Sequence, residues 1–465
     1  MRKASGLLCI LALTFGTVAS FAANKNYVVI QSTTKGSPLP KDYVKKLGPD
    51  HFKLNSYKAQ NHLSAQMNQK IAAQQKGAQY HNCSGFLSIP CFDSWFITGT
   101  RNSIYTYSMV GQSPVAGGTT TLTNRVIPLT MLLIDAFGKL YYTFDPTAAG
   151  NNLPLSPLSD VQLAEEGPIW ASNAYPGGGG LPADTGQFVD TTFRASFNGV
   201  KKANWHTPLG APQGPIGGPY AALSIYGTDW LCYGGEAPPC TSFPVVNINS
   251  LSSIFAQLLG PSYENVPSTL VPIILTDFVT AFIPGGGCCV LGFHSANQGN
   301  EGPGSVSVWT WATFIPVNNN PFGPFGNDTF VLTHEVSELY HDPFVQTTGT
   351  LVSPWVDGSV SFAQANLETG DAIEAMAVAD ALWPVTQGTT GGAYTYSTQN
   401  EALLPWFTRN PIGPACLGVG GGYQYNCGPG IYSWPNTATL NAGHDPATPW
   451  GYGEGAAGFY FGPPF

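Results

Sequence analysis

The sequence predicts an α+β protein, strand-rich, loop-rich and exported, built around one metal-binding helix with a second helix in support. Three observations lead there. Gly supplies 55 and Pro 39 of the 465 residues, which interrupts long helices and favours short elements joined by loops. Short β-branched and aromatic runs recur between those breaks. The stretch Thr333-His334-Glu335-Val336-Ser337-Glu338-Leu339-Tyr340-His341-Asp342-Pro343 gathers five acidic or imidazole side chains in a chain of which only 10% is charged.

At the N-terminus, Met1-Arg2-Lys3, an apolar run from Gly6 to Val18 and the small-residue pattern Ala19-Ser20-Phe21-Ala22 read as a secretory signal peptide over residues 1–22. The run is too short to span a bilayer, and no later stretch reaches about 18 uninterrupted apolar residues, so no transmembrane segment is expected. The mature chain is expected to be secreted, whether extracellular, periplasmic or cell-wall-associated. Residues 23–76 hold nine Lys and no Cys. They form a basic N-terminal arm, either a propeptide-like cover on an acidic body or a solvated linker, with a polar helix suited to Ser56 to Lys76. Beyond residue 76 lie 25 of the 27 acids and only 7 of the 18 Lys and Arg, a net charge of −18 that repels nucleic acid and anionic lipid.

Residues 77–245 read as a β-rich region. Trp95 to Thr98, Thr119 to Leu122 and Ile127 to Phe144 suit strands of an antiparallel sheet or small sandwich. Residues 145–220 are mostly connection, and the run Gly177 to Gly180 lacks the following helix and Lys of a phosphate loop. Eight cysteines follow the signal peptide, an even number that suits disulfides outside the cytoplasm. Short separations suggest Cys83 with Cys91, Cys232 with Cys240 and Cys416 with Cys427. Cys288 and Cys289 take separate partners or a vicinal bridge.

Residues 246–410 read as an α+β region that holds the metal site. Ser250 to Leu259 suits a helix, Val271 to Phe282 and Val306 to Phe314 suit strands, and Asp371 to Leu382 suits the second helix. The central helix is expected to start at Asn327-Asp328-Thr329, whose side chains can accept from first-turn amides, and to stop at Pro343. Residues 411–465 form a Gly- and aromatic-rich tail, in which Pro463 and Pro464 argue against a closing barrel strand.

Spacing gives the central helix its chemistry. His334 and Glu338 are four apart, on one face and about 6 Å from each other, so both can reach one ion. Glu335 sits roughly 100° further round, where the Glu of a His-Glu-x-x-His zinc peptidase takes a proton from metal-bound water. Asp342 is the third ligand expected, provided that the chain bends at Pro343, because on a straight helix it stands about 12 Å along the axis from His334. His341, His294, Asp371 and Glu368 are the supporting or alternative ligands. Asp371 also has a competing role as the cap of the second helix. Zinc is the metal expected. Two carboxylate ligands bring it to formal neutrality, which weakens activation of its water and keeps Ca²⁺ and Mn²⁺ in view. No G-x-S-x-G accompanies the histidines to support a serine nucleophile.

The order Gly292-Phe293-His294-Ser295, His334-Glu335-x-x-Glu338-x-x-x-Asp342-Pro343 and Glu368-x-Gly370-Asp371 resembles a family of exported bacterial proteins with a His-Glu-x-x-Glu signature. More distantly, Asp342-Pro343-Phe344, Gly370-Asp371 and Tyr394-Thr395-Tyr396 through Leu404-Pro405-Trp406-Phe407 are similar to the plant phosphate-induced, EXORDIUM-like proteins. The resemblance covers residues 280–410 and implies that Asp342 and Asp371, rather than His341, belong to the shared pattern. Two functional classes follow. One is an exported zincin-like metallopeptidase or hydrolase acting on a peptide or extracellular polymer. The other is a non-catalytic wall-associated binder whose 11 Trp and 21 Tyr stack on sugars.

Overall fold

The structure, a computed structural model, describes residues 25–31, 83, 87–98, 103–177, 181–198, 201–285, 288–302, 305–344, 355–356, 363–364, 367–374, 381–407 and 433–435. The signal peptide, the polar helix expected in the arm, the pair Cys416 and Cys427, and almost all of the tail lie outside them. In chain order, β1 (Val28–Gln31) precedes the hairpin β2 (Cys91–Thr98) and β3 (Ser103–Val110), then β4 (Asn124–Ile134), β5 (Leu140–Phe144) and α1 (Asp160–Glu165). The ribbon β6 (Asn173–Tyr175) and β7 (Asp184–Gly186) leads to α2 (Phe188–Ser196). Next come β8 (Tyr220–Ile225), β9 (Trp230–Cys232), β10 (Pro244–Asn247) and α3 (Ile248–Leu259). β11 (Val271–Asp277), β12 (Ala281–Phe282), β13 (Cys288–Val290), β14 (Gly292–Gln298) and β15 (Val306–Phe314) precede α4 (Phe330–His341). Then follow β16 (Trp355–Val356), β17 (Ala363–Gln364), α5 (Asp371–Glu374), the hairpin β18 (Leu382–Thr389) and β19 (Gly392–Gln399), β20 (Glu401–Ala402), α6 (Leu404–Phe407) and β21 (Ser433–Trp434).

Strands dominate, and the main sheet runs β1-β8-β4-β11-β15-β14 with β5 on the flank of β4. β1, β8, β4, β11 and β15 are mutually parallel neighbours, while β14 closes the sheet antiparallel to β15. The antiparallel pairing expected before Phe144 is found in β2–β3 and β4–β5, but β4 lies parallel to both β8 and β11. The physical reason is visible in β4 itself. All eleven of its residues are buried, as they must be in a strand covered on both faces.

Helices supply the covers. On one face, Leu251, Ile254, Phe255 and Leu258 of α3 pack with Ile127, Ile274, Phe293, Trp309 and Trp311. On the other, Val331, Val336 and Leu339 of α4 pack with Val126, Ile273, Leu275, Val308 and Ala312. Alternation along β11 sends Ile273 and Leu275 to the α4 side and Ile274 to the α3 side. The sheet takes strands from both sides of residue 245, and it includes part of the basic arm. β1 pairs with Tyr220 to Leu223, while Lys25 forms an ion pair with Asp145 and the Tyr27 hydroxyl donates to the same carboxylate at 2.9 Å.

Disulfides join Cys83 to Cys91 and Cys232 to Cys240, and Cys288 bonds to its neighbour Cys289, the vicinal alternative. Among the described residues, no helix is long and apolar enough to cross a membrane.

Candidate metal centre

Helix α4 spans the His-Glu-x-x-Glu stretch and is buried at all twelve positions. Its polar groups therefore need partners inside the protein. One row of them faces β19: the Thr329 hydroxyl donates to the Ser397 carbonyl at 2.9 Å, and the Thr333 hydroxyl accepts the Gln399 amide at 2.9 Å. The expected side-chain cap takes another form. Thr329 stands at the N-cap without a capping bond, while the Asp328 carboxylate accepts the amides of Thr329 and Ser397. The helix ends at His341, with Asp342 as its C-cap in front of Pro343.

Gln399 sets the tautomer of His334. Its Nε2 donates to the Gly370 carbonyl at 2.7 Å, so its Oε1 accepts from His334 Nδ1–H at 2.8 Å. The lone pair of His334 Nε2 is left facing acids: Glu338 Oε2 at 3.1 Å, Asp371 Oδ1 at 3.6 Å and Glu335 Oε1 at 3.7 Å. A second imidazole repeats the pattern from β14. His294 lies on the strand face opposite to Phe293, toward α4, and its Nε2 donates to the Asp342 carbonyl at 3.1 Å. Its Nδ1 then faces Glu335 Oε2 at 3.5 Å and Glu338 Oε2 at 3.6 Å. Glu338 is held by its other oxygen, where Oε1 accepts the amides of Gly370 and Asp371 at 3.0 and 3.1 Å.

Two glycines make room for this. A Cβ on Gly370 would stand 2.3 Å from His334 Nδ1, and one on Gly292 would stand 2.6 Å from Val331 Cγ1 and 2.8 Å from Glu335 Oε1. Side chains at either position would displace the groups that define the site.

Among the described residues, two sets of ligand atoms lie within 4.8 Å of one another: His334, Glu338 and Asp371, and His294, Glu338 and Glu368. Every member is at most 5% exposed. Ligand atoms about 2.1 Å from one ion stand about 3.0–3.4 Å apart, close to the spacings seen here. The carboxylate of Asp342 belongs to neither set, and its carbonyl meets His294 instead. His341 turns away. Its Nδ1 donates to the Ser337 carbonyl at 2.8 Å, its Nε2 accepts from Ser196 Oγ at 3.1 Å, and its ring meets Phe193 edge-on.

Burial depresses the His294 imidazole, yet Glu368, Glu335 and Glu338 outweigh it and lift its pKa to about 9. Burial raises the Glu338 carboxyl against the pull of His334. Glu401, coupled to His334, Glu338 and Glu335, is pushed well above the usual carboxylate range by burial. His341, in contrast, falls to about 4 through burial, the Ser337 carbonyl opposing.

Gln399 and Glu401 are neighbours of the candidate site that sequence reasoning did not name. Their signal is the run Ser397-Thr398-Gln399-Asn400-Glu401, five polar residues in succession, all buried. No family model, curated protein or solved structure matches this chain.

Proposed function

We propose that the chain is an exported metal-dependent hydrolase of zincin-like type, in which His334, Glu338 and Asp371 hold zinc and Glu335 is the general base. The observation that carries this reading is the orientation of His334. Its Nδ1 is committed to Gln399, so its Nε2 faces Glu338 Oε2 and Asp371 Oδ1, and a divalent cation bound there would be held by these three side chains. When bound, such an ion supplies Lewis acidity and lowers the pKa of water. The chain's own part is positional. Gln399 and the amides of Gly370 and Asp371 fix His334 and Glu338, and burial excludes competing solvent. Glu335, whose Oε2 has no hydrogen-bond partner among the described residues, is placed to take a proton from water and pass it to a leaving group.

The substrate class is a peptide or an extracellular polymer. Export agrees with the disulfides, which suit an oxidising compartment. Among the described residues, Trp205, Trp230, Trp309, Trp311 and Trp434 are fully buried core and do not offer the stacking face that a wall-binding protein would use. The test is Glu335→Gln assayed on quenched fluorescent peptides, with zinc measured in the same samples. Hydrolysis should fall by at least about 100-fold while zinc content is unchanged. Activity equal to that of the unaltered protein removes Glu335 from the mechanism.

A further inference from the structure

We infer that the site is dinuclear, with two divalent cations sharing Glu338: one held by His334 and Asp371, the other by His294 and Glu368. This rests on the metal-dependent reading above and changes what the centre can do. The first support is geometric. Each imidazole groups within 4.8 Å with Glu338 and with a different second carboxylate, so the two rings address separate positions. Glu338 Oε2 lies between them, 3.1 Å from His334 Nε2 and 3.6 Å from His294 Nδ1, while Oε1 is occupied by two backbone amides. One oxygen of Glu338 is thus the shared ligand.

The second support is that both rings are wired alike. Each donates one N–H to a carbonyl oxygen, of Gln399 for His334 and of Asp342 for His294, and turns the opposite nitrogen toward Glu338 Oε2, while Glu368 Oε2 stands 3.7 Å from His294 Nε2. A ring that merely filled the core would not need that arrangement twice. Glu335 adds a third observation. Its Oε2 is buried without a hydrogen-bond partner and faces His294 Nδ1 at 3.5 Å, while its Oε1 faces His334 Nε2 at 3.7 Å. The same carboxylate therefore reaches toward both positions.

Charge makes the second ion consequential. A single ion held by His334, Glu338 and Asp371 is formally neutral, a poor acidifier of water. Two ions bring four positive charges against the three carboxylates of Glu338, Glu368 and Asp371, leaving one in excess. The same ions offset more of the buried charge of Glu335 and Asp342, both at most 3% exposed. Two cations a few ångströms apart also clamp both the attacking and the leaving oxygen of a substrate, a geometry used in peptide and phosphate-ester hydrolysis.

The test uses the full-length secreted protein, stripped with chelator and dialysed against Zn²⁺ or Mn²⁺. Elemental analysis should find two equivalents in the unaltered protein, and one in Glu368→Gln and in Asp371→Asn. Glu338→Gln should weaken both positions by at least about 10-fold. With Mn²⁺, the unaltered protein should show the spin-coupled electron paramagnetic resonance spectrum of a bridged pair, and Glu368→Gln the six-line spectrum of an isolated ion. One equivalent with an uncoupled spectrum in the unaltered protein overturns the dinuclear assignment and leaves the single-ion hydrolase standing. A second equivalent that persists in Glu368→Gln is surface binding and also overturns it. No bound ion sinks both readings. Should Glu368→Gln fail to fold, the stoichiometry and spectrum of the unaltered protein decide the matter alone.

Discussion

His334 and His341 are seven residues apart on the same helix, and their surroundings give them opposite roles. His334 faces carboxylates, whereas His341 sits among Phe193, Ser196 and Ser337 with both ring nitrogens in hydrogen bonds away from the acids. His341→Leu should therefore keep its metal and lose stability, about 2 kcal/mol for the lost hydrogen bonds. The pH dependence has a defined sign. Burial lowers the pKa of His341 to about 4, below the unfolded value, so its contribution is complete above pH 6.5 and lost as pH falls through 4. Denaturation midpoints at pH 7.5 and pH 4.5 should show a wider gap between the unaltered protein and His341→Leu at the higher pH. A gap that widens on acidification would contradict the buried neutral ring.

At the scale of elements, local pattern was legible and partnership was not. Val306 to Phe314 is a strand with the bounds its β-branched and aromatic run suggests, Ser250 to Leu259 begins its helix two residues earlier, and Pro343 marks the end of α4. Those signals are written in neighbours along the chain. Pairing depends on residues far apart in sequence, so β4 could not be seen to lie between β8 and β11, nor Gln399 to hold His334 from 65 positions away. Within the candidate site, spacing along α4 named His334, Glu335 and Glu338. It named Asp342 as third ligand, whereas the two ligand sets draw on Asp371, Glu368 and His294, side chains that arrive from the entry to α5 and a neighbouring strand. Close packing between these elements is testable at Gly370, the point where the chain entering α5 crosses His334. Gly370→Ala places a methyl group on the imidazole, so zinc retention against a competing chelator should fall by at least about 10-fold. Unchanged retention would show that the ring has room to move.

For the whole molecule, the sheet has two unlike borders. One is β14, which carries His294, and the other is β1, drawn from the lysine-rich arm and fastened through Lys25 and Tyr27 to Asp145. Val28 to Gln31 cover the backbone of Tyr220 to Leu223, whose side chains are core. The arm is thus divided in its duties: whatever its later residues do, its first few complete the central sheet.

Processing of this protein has to respect that division. Cleavage near residue 76 releases nothing intact, because the four residues of β1 stay lodged in the sheet as a severed strip, held by backbone bonds, by the buried Ile30 side chain and by Lys25 and Tyr27 on Asp145. A recombinant form beginning at residue 77 would instead bare an apolar strand edge, an invitation to self-association. Light scattering of that form beside one beginning at residue 23 should show larger particles for the shorter chain, and equal sizes would mean the strip is dispensable.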